Sequence, residues 1–140
     1  MGPIQSGSVA LILLDTHVVI WLLIDPEHLS ARAREAILQA RVAGEKIACS
    51  PISLYEIANA ARRGRLQLNS TVEEFVAAIQ DRIELHPLTA GIAVCAAQLP
   101  DTFHGDPMDR IIAATAVTGG CALITHDERI RKSKACEVIW

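Results

Sequence analysis

The sequence predicts an α/β fold, in which helices cover both faces of a short, mostly parallel sheet of about five strands. Short apolar runs alternate with amphipathic stretches along all 140 residues. The composition is 51% hydrophobic but only 4% aromatic, which suits helices packed on a parallel sheet through Ala, Leu, Ile and Val. Glycine and proline are scattered, so we expect one domain, residues 9–140, after a flexible extension, residues 1–8.

Helix-capping and helix-breaking residues bound the elements of the first half. Ser30 and Ser50 stand where helix N-caps are expected, and Pro51 takes the first helical position after Ser50. The elements predicted there are a strand at Val9–Leu14, a helix at Thr16–Leu23 stopped by Asp25-Pro26, a helix from Ser30 to Val42, a strand at Lys46–Cys49 and a helix from Ser50 to Arg63.

The second half continues the alternation. Thr71 and Thr89 are the expected N-caps, and Gly119-Gly120 is the expected stop of the helix that begins at Pro107. The elements predicted there are a helix from Thr71 to Asp81, strand Ile83–His86, a helix from Thr89 to Leu99, helix Pro107–Thr118, strand Ala122–Thr125, a short helix from Asp127 to Arg131 and an edge strand at Glu137–Trp140.

Four carboxylates stand at the junctions between these elements. Asp15 and Asp127 directly follow predicted strands, whereas Glu56 and Asp109 lie near the starts of predicted helices. Each has a plain alternative role in helix capping. If the first and fourth strands are neighbours in a parallel sheet, however, all four acids lie at one edge, where open α/β sheets bind ligands.

Four acids in one cleft suggest a metal ion, because they cannot all stay ionised there without a cation. Ligands that are all oxygen favour Mg²⁺ or Mn²⁺. Asp106 and Asp109 share one helix face and repel each other, which is more than capping requires.

Composition limits the partners and the compartment. The formal charge of −3 argues mildly against nucleic acid, but it turns positive once the four candidate ligands are set aside. The four cysteines show no zinc spacing and are expected to be reduced thiols of a cytoplasmic protein. The apolar segment at 9–24 is shorter than the ~20 residues that span a bilayer, so we expect no membrane association.

The chain resembles the PIN-domain ribonucleases, specifically the VapC-type toxins of toxin–antitoxin pairs. The motifs that carry the resemblance run in order from about Ile12 to Trp140: Leu13-Leu14-Asp15-Thr16-His17, Ser50-Pro51-Ile52-Ser53-Leu54-Tyr55-Glu56-Ile57, Arg63-Gly64-Arg65-Leu66, His104-Gly105-Asp106-Pro107-Met108-Asp109-Arg110, Ile112-Ala113-Ala114-Thr115-Ala116 and Ile124-Thr125-His126-Asp127. The resemblance implies a PIN fold, Mg²⁺- or Mn²⁺-dependent endonucleolytic RNA cleavage, a homodimer, and inhibition by a cognate antitoxin.

The resemblance also implies roles for individual residues. It assigns the catalytic metal site to Asp15, Glu56, Asp109 and Asp127, with Asp106 in a secondary position. We expect Thr16, Ser53 and Thr125 to hydrogen-bond the ligand carboxylates or their waters. Basic residues predict an RNA path, for which a solvated charged face is the alternative. They are Arg110, Arg62, Arg63 and Arg65, with a second group after Asp127 that comprises Arg129, Arg131, Lys132 and Lys134. Trp21 and Tyr55 are candidates for a dimer or antitoxin contact.

Other functions compete less well. A receiver domain needs an Asp after the third strand, where His86-Pro87 stands, and a haloacid-dehalogenase-type phosphatase needs an Asp at the position of His17. The stronger alternative is a non-catalytic protein that keeps the PIN fold and binds a partner.

Overall fold

The structure is a computed structural model that describes residues 11–103 and 105–140. The expected extension at residues 1–8, the first two residues of the predicted first strand, and His104 lie outside the described residues. Among the residues described, no helix combines the length and the apolar character needed to cross a bilayer.

Across residues 11–103 and 105–140, five strands form one sheet in the order β3-β2-β1-β4-β5, and every pairing is parallel. They are β1 (Leu11–Leu14), β2 (Lys46–Cys49), β3 (Glu84–Leu85), β4 (Ala122–Ile124) and β5 (Val138–Ile139). The two edge strands are shorter than the predicted Ile83–His86 and Glu137–Trp140, because each pairs on one side only and through two residues.

In the described part of the chain, seven α-helices cover the sheet: α1 (Thr16–Ile24), α2 (Ala31–Val42), α3 (Pro51–Arg62), α4 (Val72–Arg82), α5 (Ala90–Gln98), α6 (Pro107–Gly119) and α7 (Glu128–Ser133). The predicted caps Ser30, Ser50, Thr71 and Thr89 each accept a backbone hydrogen bond at their helix N-terminus. The sequence prediction missed a 3₁₀ turn at Pro26–His28, in the segment where Pro26 was expected only to stop α1.

The side chains of β1 alternate between two hydrophobic layers. Leu14 points into the layer that packs against α1 to α4, whereas Leu13 packs with Ile112 and Ile130 of α6 and α7. Helix α5 lies outside α6 and packs on it through Ile92. The predicted sandwich of helices around a parallel sheet is therefore confirmed, and β1 lies at its centre.

The register of the sheet determines where the strands end. Leu14 pairs with Cys49 of β2 on one side and with Ile124 of β4 on the other. The residues that follow these three strands, Asp15, Ser50 and Thr125, are therefore neighbours at the carboxyl edge, and all three are buried. Strands β2 and β3 are added on one side of β1, and β4 and β5 are added on the other side. The strand order therefore reverses at β1, and open α/β sheets bind ligands at such a point.

Candidate active site

A cleft of about 420 Å³ opens at the carboxyl edge of β1 and β4. All five acids predicted from the sequence line it, namely Asp15, Glu56, Asp106, Asp109 and Asp127. The other side chains that line it are Thr16, His17, Trp21, His126 and Arg129. The structure thus brings together acids that lie up to 112 residues apart in the chain.

Asp15 is the most buried of the acids, with 7% of its surface exposed. It caps α1, because its Oδ1 accepts the backbone N–H of Thr16 at 2.8 Å. Its Oδ2 accepts the hydroxyl of Thr125 at 2.6 Å. Capping and a role in the cleft are therefore compatible in this residue, and two hydrogen bonds fix the carboxylate at the end of β1.

Glu56 reaches the cleft from α3 through a hydroxyl pair. The Thr16 hydroxyl oxygen lies 2.5 Å from Oε1 of Glu56 and 2.8 Å from the hydroxyl of Ser53. Since one hydroxyl has one proton, Thr16 donates to the carboxylate while the Ser53 proton serves the second contact. Ser53 is fully buried, and Ser50 is the cap of α3, so Ser53 and Glu56 do not form a capping box.

Asp106 and Asp109 both lie at the N-terminus of α6 but have different roles. Asp106 is exposed and caps the helix, with Oδ1 2.9 Å from the Met108 amide and 3.4 Å from that of Asp109. The side chain of Asp109 is only 15% exposed. Burial first, and then the negative charges of Asp15 and the other acids, raise the pKa of Asp109 to about 7.

Asp127 caps α7 and pairs with a cation that the sequence prediction did not single out. Its Oδ1 accepts the backbone amides of Arg129 and Ile130. The Nη2 of Arg129 lies 3.3 Å from Oδ2 of Asp127 and 3.9 Å from Oδ2 of Asp109. Burial alone would raise the pKa of Asp127, but these hydrogen bonds outweigh it and hold the pKa below its usual value.

The cleft favours a positive charge. Desolvation raises the pKa of both Asp15 and Glu56, although the threonine hydrogen bonds oppose it. Oxygen-only side chains of this kind fit a hard divalent ion. Within the described part of the chain, no three acidic, His or Cys side chains already converge at metal-binding distance. An ion held there would compete with Arg129 for Asp109 and Asp127.

Arg110 is turned away from the cleft that it was expected to serve. Its guanidinium donates three hydrogen bonds, to the carbonyl oxygens of Ala96, Leu99 and Phe103, at 3.1, 2.6 and 3.3 Å. These bonds cap the end of α5 and fix the loop that leads to Asp106. This arrangement supports a structural role, and the sequence-based prediction of an RNA contact remains untested.

A second hollow of about 520 Å³ adjoins the cleft. Exposed Tyr55 lines it together with Arg63 and Arg65, two of the arginines predicted to meet RNA. Arg62, the third, is exposed at the last turn of α3. Leu54 packs against the core, whereas the neighbouring Tyr55 is exposed.

Aromatic rings form one wall of the cleft. Trp21 stacks on His28 with 4.2 Å between ring centroids, and the rings of His17, His126 and Trp140 each lie 5.8 Å from it. His17 and Trp21 are four residues apart and share a face of α1, a spacing that was legible in the sequence. The contact between Trp140 and Trp21 could not be predicted from the sequence, because it depends on the pairing of β5 with β4.

The chain is similar to known proteins in sequence and in fold. The family model for the PIN domain matches residues 12–135. Ribonuclease VapC22 of Mycobacterium tuberculosis is 36% identical over 123 residues, which are 88% of this chain and 92% of that protein.

Two crystal structures share the fold. VapBC2 from Rickettsia felis, bound to a DNA fragment, has a TM-score of 0.71 at 14% identity and covers 91% of this chain and 96% of its own. DNA-bound VapBC from Salmonella typhimurium has a TM-score of 0.67 at 18% identity, with coverages of 94% and 97%.

Proposed function

Because the chain belongs to the PIN domain family, we propose that it is a metal-dependent endoribonuclease and the toxin of a toxin–antitoxin pair. The observation that carries the proposal is the convergence of Asp15, Glu56, Asp109 and Asp127 from four separate segments on one cleft. The similarity to a protein named ribonuclease VapC22 supports RNA as the substrate.

We assign the cation site to those four carboxylates, with Asp106 at its rim. A bound Mg²⁺ or Mn²⁺ supplies positive charge to the scissile phosphate and lowers the pKa of the attacking water. Thr16 and Thr125 orient Glu56 and Asp15 through their hydroxyl groups, as outer hydrogen bonds orient ligands elsewhere. Ser53 holds Thr16 in position through the hydrogen bond between their hydroxyl groups.

Arg129 gives the cleft a positive charge at its rim. Its side chain is 66% exposed, and its guanidinium lies close to Asp109 and Asp127. If these carboxylates held a metal ion, the planar donors of Arg129 would be available to an RNA phosphate, for which they are suited. Arg62, Arg63 and Arg65 extend the positive surface beyond Glu56.

The hollow beside the cleft supports an antitoxin contact. It offers Tyr55, Ile20 and Leu66 next to the arginines, a mixture of apolar and basic side chains that suits a peptide segment. Similar folds occur in structures described as toxin–antitoxin complexes, including one from Klebsiella pneumoniae. Homodimer formation is part of the same proposal, and gel filtration tests it.

An RNA cleavage assay tests the proposed activity. We expect cleavage with Mg²⁺ or Mn²⁺, none with EDTA, and a loss of at least about a hundredfold in Asp15→Asn, which keeps the shape of the side chain but not its charge. Circular dichroism of the variant provides the folding control. Absence of metal-dependent cleavage in the wild type would favour the non-catalytic PIN-fold alternative.

A further inference from the structure

Aromatic side chains also line the acidic cleft, and the proposed metal site does not use them. The exposed imidazoles of His17 and His126 flank it, and the indole of Trp21 lies between them at 5.8 Å from each ring. Each histidine is within two residues of a candidate ligand, Asp15 or Asp127. Flat aromatic surfaces therefore stand beside the place where a phosphate would bind.

Several contacts hold the indole of Trp21 in place. His28 covers one face of Trp21 at 4.2 Å, with an angle of 21° between the ring planes. Trp140, at the end of β5, contacts both Trp21 and His126, with centroids 5.8 and 5.2 Å apart. Both tryptophans also pack against the core. A surface fixed in this way loses little conformational freedom when a ligand stacks on it.

We propose that His17, Trp21 and His126 form a stacking surface for an unpaired nucleobase next to the scissile phosphate. This inference rests on the proposed ribonuclease function. Sequence-tolerant binding of single strands depends on aromatic side chains on which bases stack, and histidine serves in this way in RNA recognition. An acidic protein gains particularly from such contacts, because stacking does not require positive charge.

The proposal restricts the substrate class. A base can reach the wall only when it is unstacked from its neighbours, so the preferred substrates are single-stranded segments and loops rather than duplex RNA. Stacking also tolerates any base, and the wall thus contributes affinity and position without setting a strict sequence preference.

The tryptophans make the binding step directly observable. The chain has only two, and both belong to this cluster, so its tryptophan fluorescence reports on the wall alone. The probe is a short oligoadenylate, compared with an abasic oligomer of the same length and charge. The protein is the metal-free double variant Asp15→Asn/Asp109→Asn, which removes two repelling charges and the proposed cleavage.

We expect oligoadenylate to quench the fluorescence and to bind roughly tenfold more tightly than the abasic oligomer, as stacking of one base predicts. Equal affinity and equal quenching by the two oligomers would overturn the proposal. Quenching without any RNA cleavage by the wild type with Mg²⁺ would overturn the proposed function and leave the stacking surface standing. Cleavage by the wild type without base-dependent quenching would overturn the stacking surface and leave the proposed function standing.

Side-chain variants separate stacking from proton transfer or charge. His17→Ala and His126→Ala should each raise KM for RNA several-fold with little change in kcat. His17→Phe and His126→Phe should bring KM back to the wild-type value, because phenylalanine keeps an aromatic ring but cannot transfer a proton or carry charge. His86→Ala is the matched control, since His86 lines a different hollow with Leu11 and Lys46. Loss of activity in the Phe variants would contradict stacking as the role of these rings.

Discussion

The Thr125 hydroxyl donates a 2.6 Å hydrogen bond to Asp15 and accepts the backbone N–H of Asp127 at 3.0 Å. One side chain at the end of β4 thereby ties together two of the acids in the cleft. Both Thr125 and Asp15 are buried, so water cannot easily replace the bond. The positions of the two acids relative to each other are therefore set by the sheet and do not require a bound ligand.

Thr125→Val should destabilise the protein and weaken its metal binding. Loss of the donor leaves a buried carboxylate short of one partner, at about 1 to 3 kcal/mol in unfolding free energy. Denaturant unfolding and Mn²⁺ titration measure the two effects. Thr115→Val is the matched control, because the buried Thr115 hydroxyl donates to the carbonyl oxygen of Ile111 in its own helix. Equal losses in the two variants would contradict the special role of Thr125.

Asp109→Asn should stabilise the metal-free protein, and only at higher pH. The pKa of Asp109 is about 7 in the folded state, against 3.8 for a free side chain. Between these values the folded form keeps a proton that the unfolded chain has lost, so stability falls as the pH rises through this window. Thermal unfolding should show no gain near pH 4 and about 1 to 2 kcal/mol near pH 8, after allowance for solvent screening. A gain independent of pH would refute this.

Arg110→Gln should lower stability by about 1 to 3 kcal/mol while leaving the salt dependence of RNA binding unchanged. Glutamine lacks both the positive charge and the planar fork that donates to three carbonyl groups. Arg63→Ala should show the opposite pattern, a salt slope reduced by about one with little change in stability. Urea unfolding and RNA binding at several salt concentrations test both variants. A reduced slope in Arg110→Gln would support a contact between Arg110 and RNA.

Chelators should leave the protein folded, since hydrogen bonds to Thr16, Thr125 and Arg129 already hold the acids in the cleft. Mn²⁺ at a hundred times its Kd should then add ~2.7 kcal/mol to the unfolding free energy. Calorimetric melting of the wild type and of Asp15→Asn provides the comparison. An equal rise in both proteins would place the ion elsewhere.

Local signals in the sequence were sufficient for most of the fold. Ser30, Ser50 and Thr71 cap helices where expected, because an N-cap depends on the residues of one turn. The edge strands were predicted too long, since their length depends on a partner strand distant in sequence. The convergence of the acids followed from one assumption, that the first and fourth strands are neighbours, and the sheet has that order.

The parts of the site that the sequence did not reveal depend on long side chains and distant segments. The guanidinium of Arg110 bonds to carbonyls of the preceding helix and loop, and no pattern of residue types records which way a side chain turns. Arg129 was grouped with other surface cations, although a residue just after an N-cap lies beside the cap carboxylate. Trp140 meets Trp21 only because β5 joins the sheet.

Capping also limits denticity at the cleft. Oδ1 of Asp127 already accepts two amides and Oδ1 of Asp106 accepts two, so each would offer mainly one oxygen to the proposed ion. Both oxygens of Asp15 are hydrogen-bonded as well. A site of single oxygens suits a cation that keeps part of its hydration shell, as Mg²⁺ does, better than Ca²⁺, which takes six to eight oxygens. The helix caps, and not the net charge alone, would then select the ion.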